Sequence, residues 1–164
     1  MSKIRLQSNS GFSLLECVFA LAVVACFFSG LYGLNSQCLL TLNSGREALA
    51  AQQCLRDRVE QLRSCTWAQI TDANYLKNNI LCSSPDSTVN LASPSETVTV
   101  NAYPTTISPP IKITRVNGVA TTATSNAAMA SQEMVCVQVS LSWTAARGKR
   151  ARTQSTASVI AKVQ

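Results

Sequence analysis

Apolar residues are concentrated near the N-terminus, in residues 12–34, where two serines and Glu16 are the polar exceptions. A helix of this length rises by about 34 Å, which is enough to cross a bilayer core of about 30 Å. Lys3 and Arg5 precede the stretch, and positive charges so placed are retained on the cytoplasmic side of a membrane. The pattern therefore predicts one membrane-spanning helix, with everything after Leu34 outside the cytoplasm.

A helical pattern continues beyond this stretch. From Gln37 to Cys65 the chain has no proline and only one glycine, Gly45. Apolar residues recur here at spacings of three and four, as on one face of a helix, namely Ala48, Ala51, Leu55, Val59 and Leu62. The charged residues fall mostly on other faces, namely Arg56, Asp57, Glu60 and Arg63. We therefore predict that the apolar stripe docks a sheet.

Strict alternation, typical of half-buried strands, marks the C-terminal part of the chain. Residues 134–143 alternate apolar side chains with polar ones, and Cys136 falls on the polar face. A polar turn follows over residues 146–150. Residues 152–162 then predict a return strand, with one face formed by Ala157, Val159 and Ala161.

The middle of the chain gives a weaker pattern. Residues 82–110 are rich in Ser, Thr, Asn and Pro, which predicts loop with one strand over 97–103. Residues 111–116 predict a strand, and Asn117-Gly118 predicts a hairpin turn. Residues 119–132 predict a mobile segment. The fold class that follows is α+β: a long N-terminal helix, membrane-spanning in its first half, with a small antiparallel β-sheet head packed on its outer half.

The formal net charge of +6 is local rather than spread over the chain. Four of the positive charges lie close together, at Arg147, Lys149, Arg150 and Arg152. This basic cluster is interpreted as a solvated hairpin tip, with a contact for an acidic neighbour or for DNA as the alternative. Because aromatic residues are not interleaved with the charges, nucleic acid is not predicted as a partner.

No residue constellation predicts an enzyme. The chain has no histidine and no C-x-x-C pair, its three aspartates are scattered, and no glycine-rich phosphate loop is present. No acidic loop predicts a calcium site, which would need several clustered oxygen ligands. We therefore predict no catalytic residues, no metal ligands and no cofactor.

The seven cysteines leave the disulfide pattern open. Cys54 and Cys65 lie on one predicted helix about 16 Å apart along its axis, which is too far for a disulfide. Cys82 and Cys136 remain as partners for a helix cysteine or for each other, and the polar face directs Cys136 away from the helix. Cys65–Cys82 is the preferred bridge, and free thiols are the alternative.

The junction between the basic start and the apolar run reads Gly11-Phe12-Ser13-Leu14-Leu15-Glu16. It resembles the prepilin-peptidase site of type IV pilins and type II secretion pseudopilins: a short basic leader, Gly, Phe, and Glu as the fifth residue of the mature chain. The resemblance implies cleavage after Gly11 by a prepilin peptidase that also N-methylates Phe12. It further implies a filament subunit whose helix bundles with other pilin or pseudopilin subunits and engages an inner-membrane assembly platform.

Glu16 has an electrostatic role in this family pattern. Cleavage leaves a charged amine on Phe12, and a buried charge needs a partner. In a packed filament Glu16 of one subunit can pair with the Phe12 amine of a neighbour and set their register. The Trp-ending strand, basic turn and final strand also look like the close of many minor pilins, and the missing calcium loop favours a minor subunit.

Two other interpretations apply to the N-terminus. An ordinary secretory signal would be cut after the apolar run, but no small-residue site follows Leu34. A lipid-anchored extracytoplasmic binding protein, modified at Cys26, is the alternative, because residues 23–26 resemble a lipobox. The predicted organisation is a leader over 1–11, an assembly helix over 12–34, its extracytoplasmic continuation over 35–66 and a β-rich head over 67–164. The predicted location is the bacterial inner membrane, then a pilus or pseudopilus.

Overall fold

The computed structural model of the chain describes residues 14–85, 88, 91–145 and 150–162. The chain divides into two compact units, Met1–Leu42 and Asn43–Gln164. Helix α1, Leu14–Ser64, contributes residues to both units, and a five-stranded antiparallel sheet follows it in the chain. The predicted α+β class, with a long N-terminal helix and a sheet head, is therefore confirmed.

In the second unit, α1 ends at Ser64, one residue before the predicted limit of the helical pattern. Arg63 lies in its last turn, where a positive charge is favourable beside the partial negative charge of a helix C-terminus. Short helical turns follow, namely α2 over Trp67–Ile70, α3 over Ala73–Tyr75 and a π-helical turn over Leu76–Ile80. Asp72 caps α3, because its carboxylate accepts a hydrogen bond from the Asn74 N–H at 2.8 Å.

The sheet has five strands in the spatial order β3-β2-β1-β4-β5, and every neighbouring pair is antiparallel. Their bounds are Ala92–Ala102 for β1, Ile111–Val116 for β2, Val119–Thr124 for β3, Met134–Thr144 for β4 and Ala151–Ala161 for β5. The long strands β1 and β4 lie at the centre, so β3 and β5 form the two edges of the sheet.

The structure confirms the predicted strands and corrects two segments. Asn117 and Gly118 have φ values of 50° and 82°, the positive values that a two-residue hairpin turn requires. The prediction of a mobile segment after this turn was wrong, because β3 pairs with β2 and a 3-10 helix follows over Ala127–Ser131. Strand β1 also begins five residues before the predicted start, since an irregularity in its pairing between Ala92 and Ser95 accommodates Pro94.

The core lies between the last third of α1 and one face of the sheet. Strand β4 contributes Val135, Val137, Val139 and Leu141, each at most 1 % exposed. Of the predicted helical stripe, three residues are buried, namely Ala51, Leu55 and Leu62, while Ala48 and Val59 are half-buried. Cys54 and Arg58 are also buried, so the face that docks the sheet is rotated slightly from the predicted one.

Candidate functional site

The first unit carries a continuous exposed apolar surface. Every side chain from Leu14 to Leu34 is exposed, including those of Phe19, Phe27 and Phe28. The apolar residues surround the helix rather than forming a stripe, which is typical of a helix surrounded by lipid or by other helices. Helix α1 is long and apolar enough to cross a membrane.

Glu16 lies in the first turn of α1, and its side chain is exposed. A carboxylate at this end of a helix is favoured by the partial positive charge of the unpaired N–H groups. Among the described residues, no cation lies within ion-pair distance of this carboxylate. The predicted processing residues Gly11 and Phe12 lie outside the described residues, so their roles stay predictions.

The two cysteines of the predicted bridge are both thiols in the structure, and the disulfide stays a prediction. The Cys65 thiol donates to the Gln61 carbonyl at 3.2 Å, and the Cys82 thiol donates to the Asn79 carbonyl at 3.4 Å. Cys65 is half-buried, and burial raises the pKa of its thiol because a thiolate is poorly solvated there. Cys82 is exposed.

The second unit contains a buried ionic cluster, formed by Arg58 of α1, Glu96 of β1 and Arg115 of β2. The three side chains are 1 %, 1 % and 4 % exposed. Arg58 binds Glu96 in a bidentate manner, with Nε to Oε1 at 2.5 Å and Nη2 to Oε2 at 3.0 Å. Arg115 Nη2 donates to the same Oε2 at 3.0 Å. One carboxylate therefore serves two guanidinium groups, and the helix and two strands meet at this point.

Several further donors of the cluster fix the segment between the π-helical turn and β1, whereas Arg115 Nε is buried without a hydrogen-bond partner among the described residues. Arg58 also donates to the carbonyl oxygens of Ile80 and Ser83, the latter at 2.9 Å. Arg115 Nη1 donates to the Ser84 hydroxyl. These bonds hold the chain that leads into β1 against the end of α1. Because all three charged side chains are buried, the cluster offers no surface to a ligand.

Sequence reasoning missed this cluster, although the pattern contained a signal for it. Arg58 lies three residues after Leu55 and four before Leu62, which places it on the docking face of α1. Glu96 lies two residues before Val98, and Arg115 lies two residues after Ile113, so both have the parity of buried strand positions. Two arginines and one glutamate at core positions indicate a buried ion pair, since an unpaired charge there would be very costly.

Further polar contacts join α1 to the C-terminal strands, among them the bonds from Arg63 to the Ser158 hydroxyl. The indole N–H of Trp143 donates to Glu47 Oε2 at 3.3 Å in a buried environment, and Arg152 Nη1 donates to the Ser44 hydroxyl at 2.7 Å. Of the predicted basic cluster, Arg150 is exposed, while Arg147 and Lys149 lie outside the described residues. Arg152 therefore serves the packing of strand β5 as well as contributing positive charge to that side of the sheet.

Within residues 14–85, 88, 91–145 and 150–162, no group of three or more His, Cys, Asp or Glu side chains has the arrangement of a metal site. Comparison of the chain with protein-family models, with curated proteins and with solved structures finds no match.

Proposed function

We propose that this protein is a filament-forming structural subunit, a minor pilin or minor pseudopilin of a type IV pilus or a type II secretion pseudopilus. The observation that carries the proposal is the junction at residues 11–16, which has the form of a prepilin cleavage site, followed immediately by an exposed apolar helix. Its partners are a prepilin peptidase that methylates Phe12, other subunits of the filament and an inner-membrane assembly platform.

The exposed apolar surface supports two successive environments for the first unit. In the inner membrane, lipid covers the side chains between Leu14 and Leu34. In a filament, the corresponding helices of neighbouring subunits cover these side chains. The same surface therefore contacts lipid before assembly and other subunits after it. The apolar face stays out of water throughout, which is what a helix that is hydrophobic all round requires.

Glu16 is the residue to which we assign the register between subunits. Its carboxylate is exposed in the first turn of α1 and has no cation beside it among the residues described. A charge in this apolar segment costs at least about 2.5–3.5 kcal/mol, so an assembled form that buried Glu16 alone would be strongly disfavoured. The methylated Phe12 amine of a neighbouring subunit supplies the opposite charge.

The mature N-terminus tests the processing step. Mass spectrometry of the protein from its own host is expected to give a chain that starts at N-methylated Phe12. A Gly11→Leu variant should remain uncut, whereas Gln7→Leu, which alters the leader but not the junction, should be cut normally. A chain that keeps Met1, or one that starts at an acylated Cys26, would contradict the proposal, and the second result would identify a lipid-anchored protein.

Assembly is tested separately through Glu16. Glu16→Ala should be processed and retained in the membrane, but its amount in the sheared filament fraction should fall by about tenfold or more, because one buried amine is left unpaired. Ser29→Ala is the matched control, since it changes another polar residue of the same apolar run and should assemble normally. Normal assembly of Glu16→Ala would show that the ion pair does not set the register.

A further inference from the structure

Strand β5 is an edge of the sheet, and half of its backbone groups point away from β4. At one end the Lys162 N–H donates to the Glu133 carbonyl at 2.7 Å, and at the other end the Ala145 N–H donates to the Arg150 carbonyl at 2.9 Å. Backbone groups alternate in direction along an antiparallel strand. The even-numbered residues of β5 therefore pair with β4, and the odd-numbered ones direct their N–H and C=O groups outward.

This edge lacks the features that usually protect an edge strand. It is eleven residues long, and residues 153–161 contain no charge, no proline and no glycine. Its pairing with β4 is regular from Ala151 to Ala161, without a bulge. The opposite edge, β3, is six residues long and its pairing with β2 is irregular. A long and regular edge whose only charges lie at its two ends is a template for another strand.

A groove of about 710 Å³ lies along this edge, between α1 and β5. Leu55 and Val59 of α1 contribute apolar side chains to it, and Ser155 and Ala157 line it from the strand. Gln154 also lines the groove, and its amide oxygen is buried without a hydrogen-bond partner among the described residues. The groove thus offers apolar surface beside the free strand edge, which fits the alternate side chains of an added strand.

The charges around the groove indicate the kind of partner. Arg63 lines the groove, and Arg150, Arg152 and Lys162 lie at or next to the ends of β5. Glu60 lines it too, but its carboxylate already pairs with Arg56 at 3.2 Å. Arg63 and Arg152 donate to the neutral hydroxyls of Ser158 and Ser44, so both keep their full positive charge. The edge is therefore flanked by positive potential.

We propose that the β5 edge binds an extended, acidic segment of another protein, which adds to the sheet as a sixth strand. The N–H and C=O groups of Thr153, Ser155, Ala157 and Val159 supply the backbone hydrogen bonds. Alternate side chains of the segment enter the groove over Leu55 and Val59, and its carboxylates meet the flanking arginines and lysine. This inference concerns the second unit alone and does not rest on filament assembly.

The test uses the full chain in nonionic detergent micelles and two fluorescent decapeptides, one of alternating valine and glutamate and one of alternating valine and lysine. Fluorescence anisotropy at low salt should show the acidic peptide binding at least about tenfold more tightly than the basic one. The preference should weaken as the salt concentration rises, because exposed charges are screened. Amide exchange followed by NMR should slow selectively at Ser155, Ala157 and Val159.

The variant Ala157→Pro separates edge pairing from simple charge attraction. Its missing N–H is one that points away from β4, so the sheet itself should persist. It should weaken binding of the acidic peptide by about tenfold or more, whereas Ala157→Thr, which keeps the N–H at the same exposed position, should bind like the parent. Equal binding of both peptides, no binding of the acidic one, or undiminished binding by a folded Ala157→Pro variant would each overturn the proposal.

Discussion

Replacement of Glu96 by glutamine removes the one negative charge of the buried cluster and keeps the size of the side chain. The carboxylate accepts three charge-assisted hydrogen bonds, two from Arg58 and one from Arg115, at 2.5 to 3.0 Å. In the variant both guanidinium groups remain buried without a counterion, and the amide places an N–H group against them. Glutamine therefore tests the charge of the cluster rather than its packing.

The expected loss of stability is large. Breaking a buried ion pair by removing one partner costs about 3–5 kcal/mol, since the other charge stays buried. Two buried cations lose their partner here, so we expect Glu96→Gln to lose about 4–5 kcal/mol of unfolding free energy. With a urea slope of about 2 kcal/mol per molar, the unfolding midpoint falls by about 2 M. Trp143, which is 3 % exposed, provides a fluorescence signal for this unfolding in micelles.

Glu60→Gln is the matched control for this measurement. Glu60 pairs with Arg56 at 3.2 Å, but the two side chains are 61 % and 80 % exposed, so the loss should stay within about 1 kcal/mol. A loss of stability in Glu96→Gln no larger than that in Glu60→Gln would contradict a structural need for the buried charge. That result would mean that water or a neighbouring carboxylate compensates the two arginines without Glu96.

Three other outcomes follow from the second unit. Gly118→Ala should lower the unfolding free energy by about 1 kcal/mol, because φ is +82° at this residue. Gly45→Ala in α1 should raise the unfolding free energy by about 0.5–1 kcal/mol, because alanine favours a helix. Neither added methyl group meets an atom within 4 Å, so urea midpoints that move in the same direction for both variants would contradict this backbone effect. In reduced protein at pH 8, iodoacetamide should label Cys82 before Cys65, because Cys65 is less accessible and burial raises its pKa. Mass spectrometry measures the labelling, and faster labelling of Cys65 would show that its thiol is not buried as described. Because the pKa of Cys65 is raised in the folded state, its contribution to stability is present below the pKa of the unfolded thiol and is lost as the pH rises through the pKa of the folded thiol. In Cys65→Ala, the unfolding free energy should therefore fall less steeply at alkaline pH than in the parent.

The sequence predicted the elements whose pattern is set by burial on one face. Strand β4 alternates strictly, and the turn at Asn117 and Gly118 uses the residues that tolerate positive φ, so both were visible without a structure. Strand β3 could not be predicted, because its Ala and Thr residues do not alternate between an apolar face and a polar face. Its pairing with β2 follows from the hairpin turn rather than from its own composition.

The candidate sites show the same difference between local features, which could be predicted, and long-range contacts, which could not. The exposed apolar helix could be predicted because hydropathy is a local property of the chain. The partnership of Arg58 with Glu96 could not, because it joins residues 38 positions apart and depends on how α1 is rotated against the sheet. The spacing of Arg58 places it on the docking face of α1, but only the three-dimensional packing shows that Glu96 is its partner.

The arrangement of the core has a consequence for synthesis of the chain. The docking face of α1, with Ala51, Cys54 and Leu62, is made well before β4, which supplies much of its cover. About 80 residues separate Leu62 from Trp143, and ribosomes add about 5–20 residues per second. The apolar face of the helix therefore remains uncovered by strand β4 for about 4–16 s. During this time the nascent chain is exposed to aggregation and to proteases.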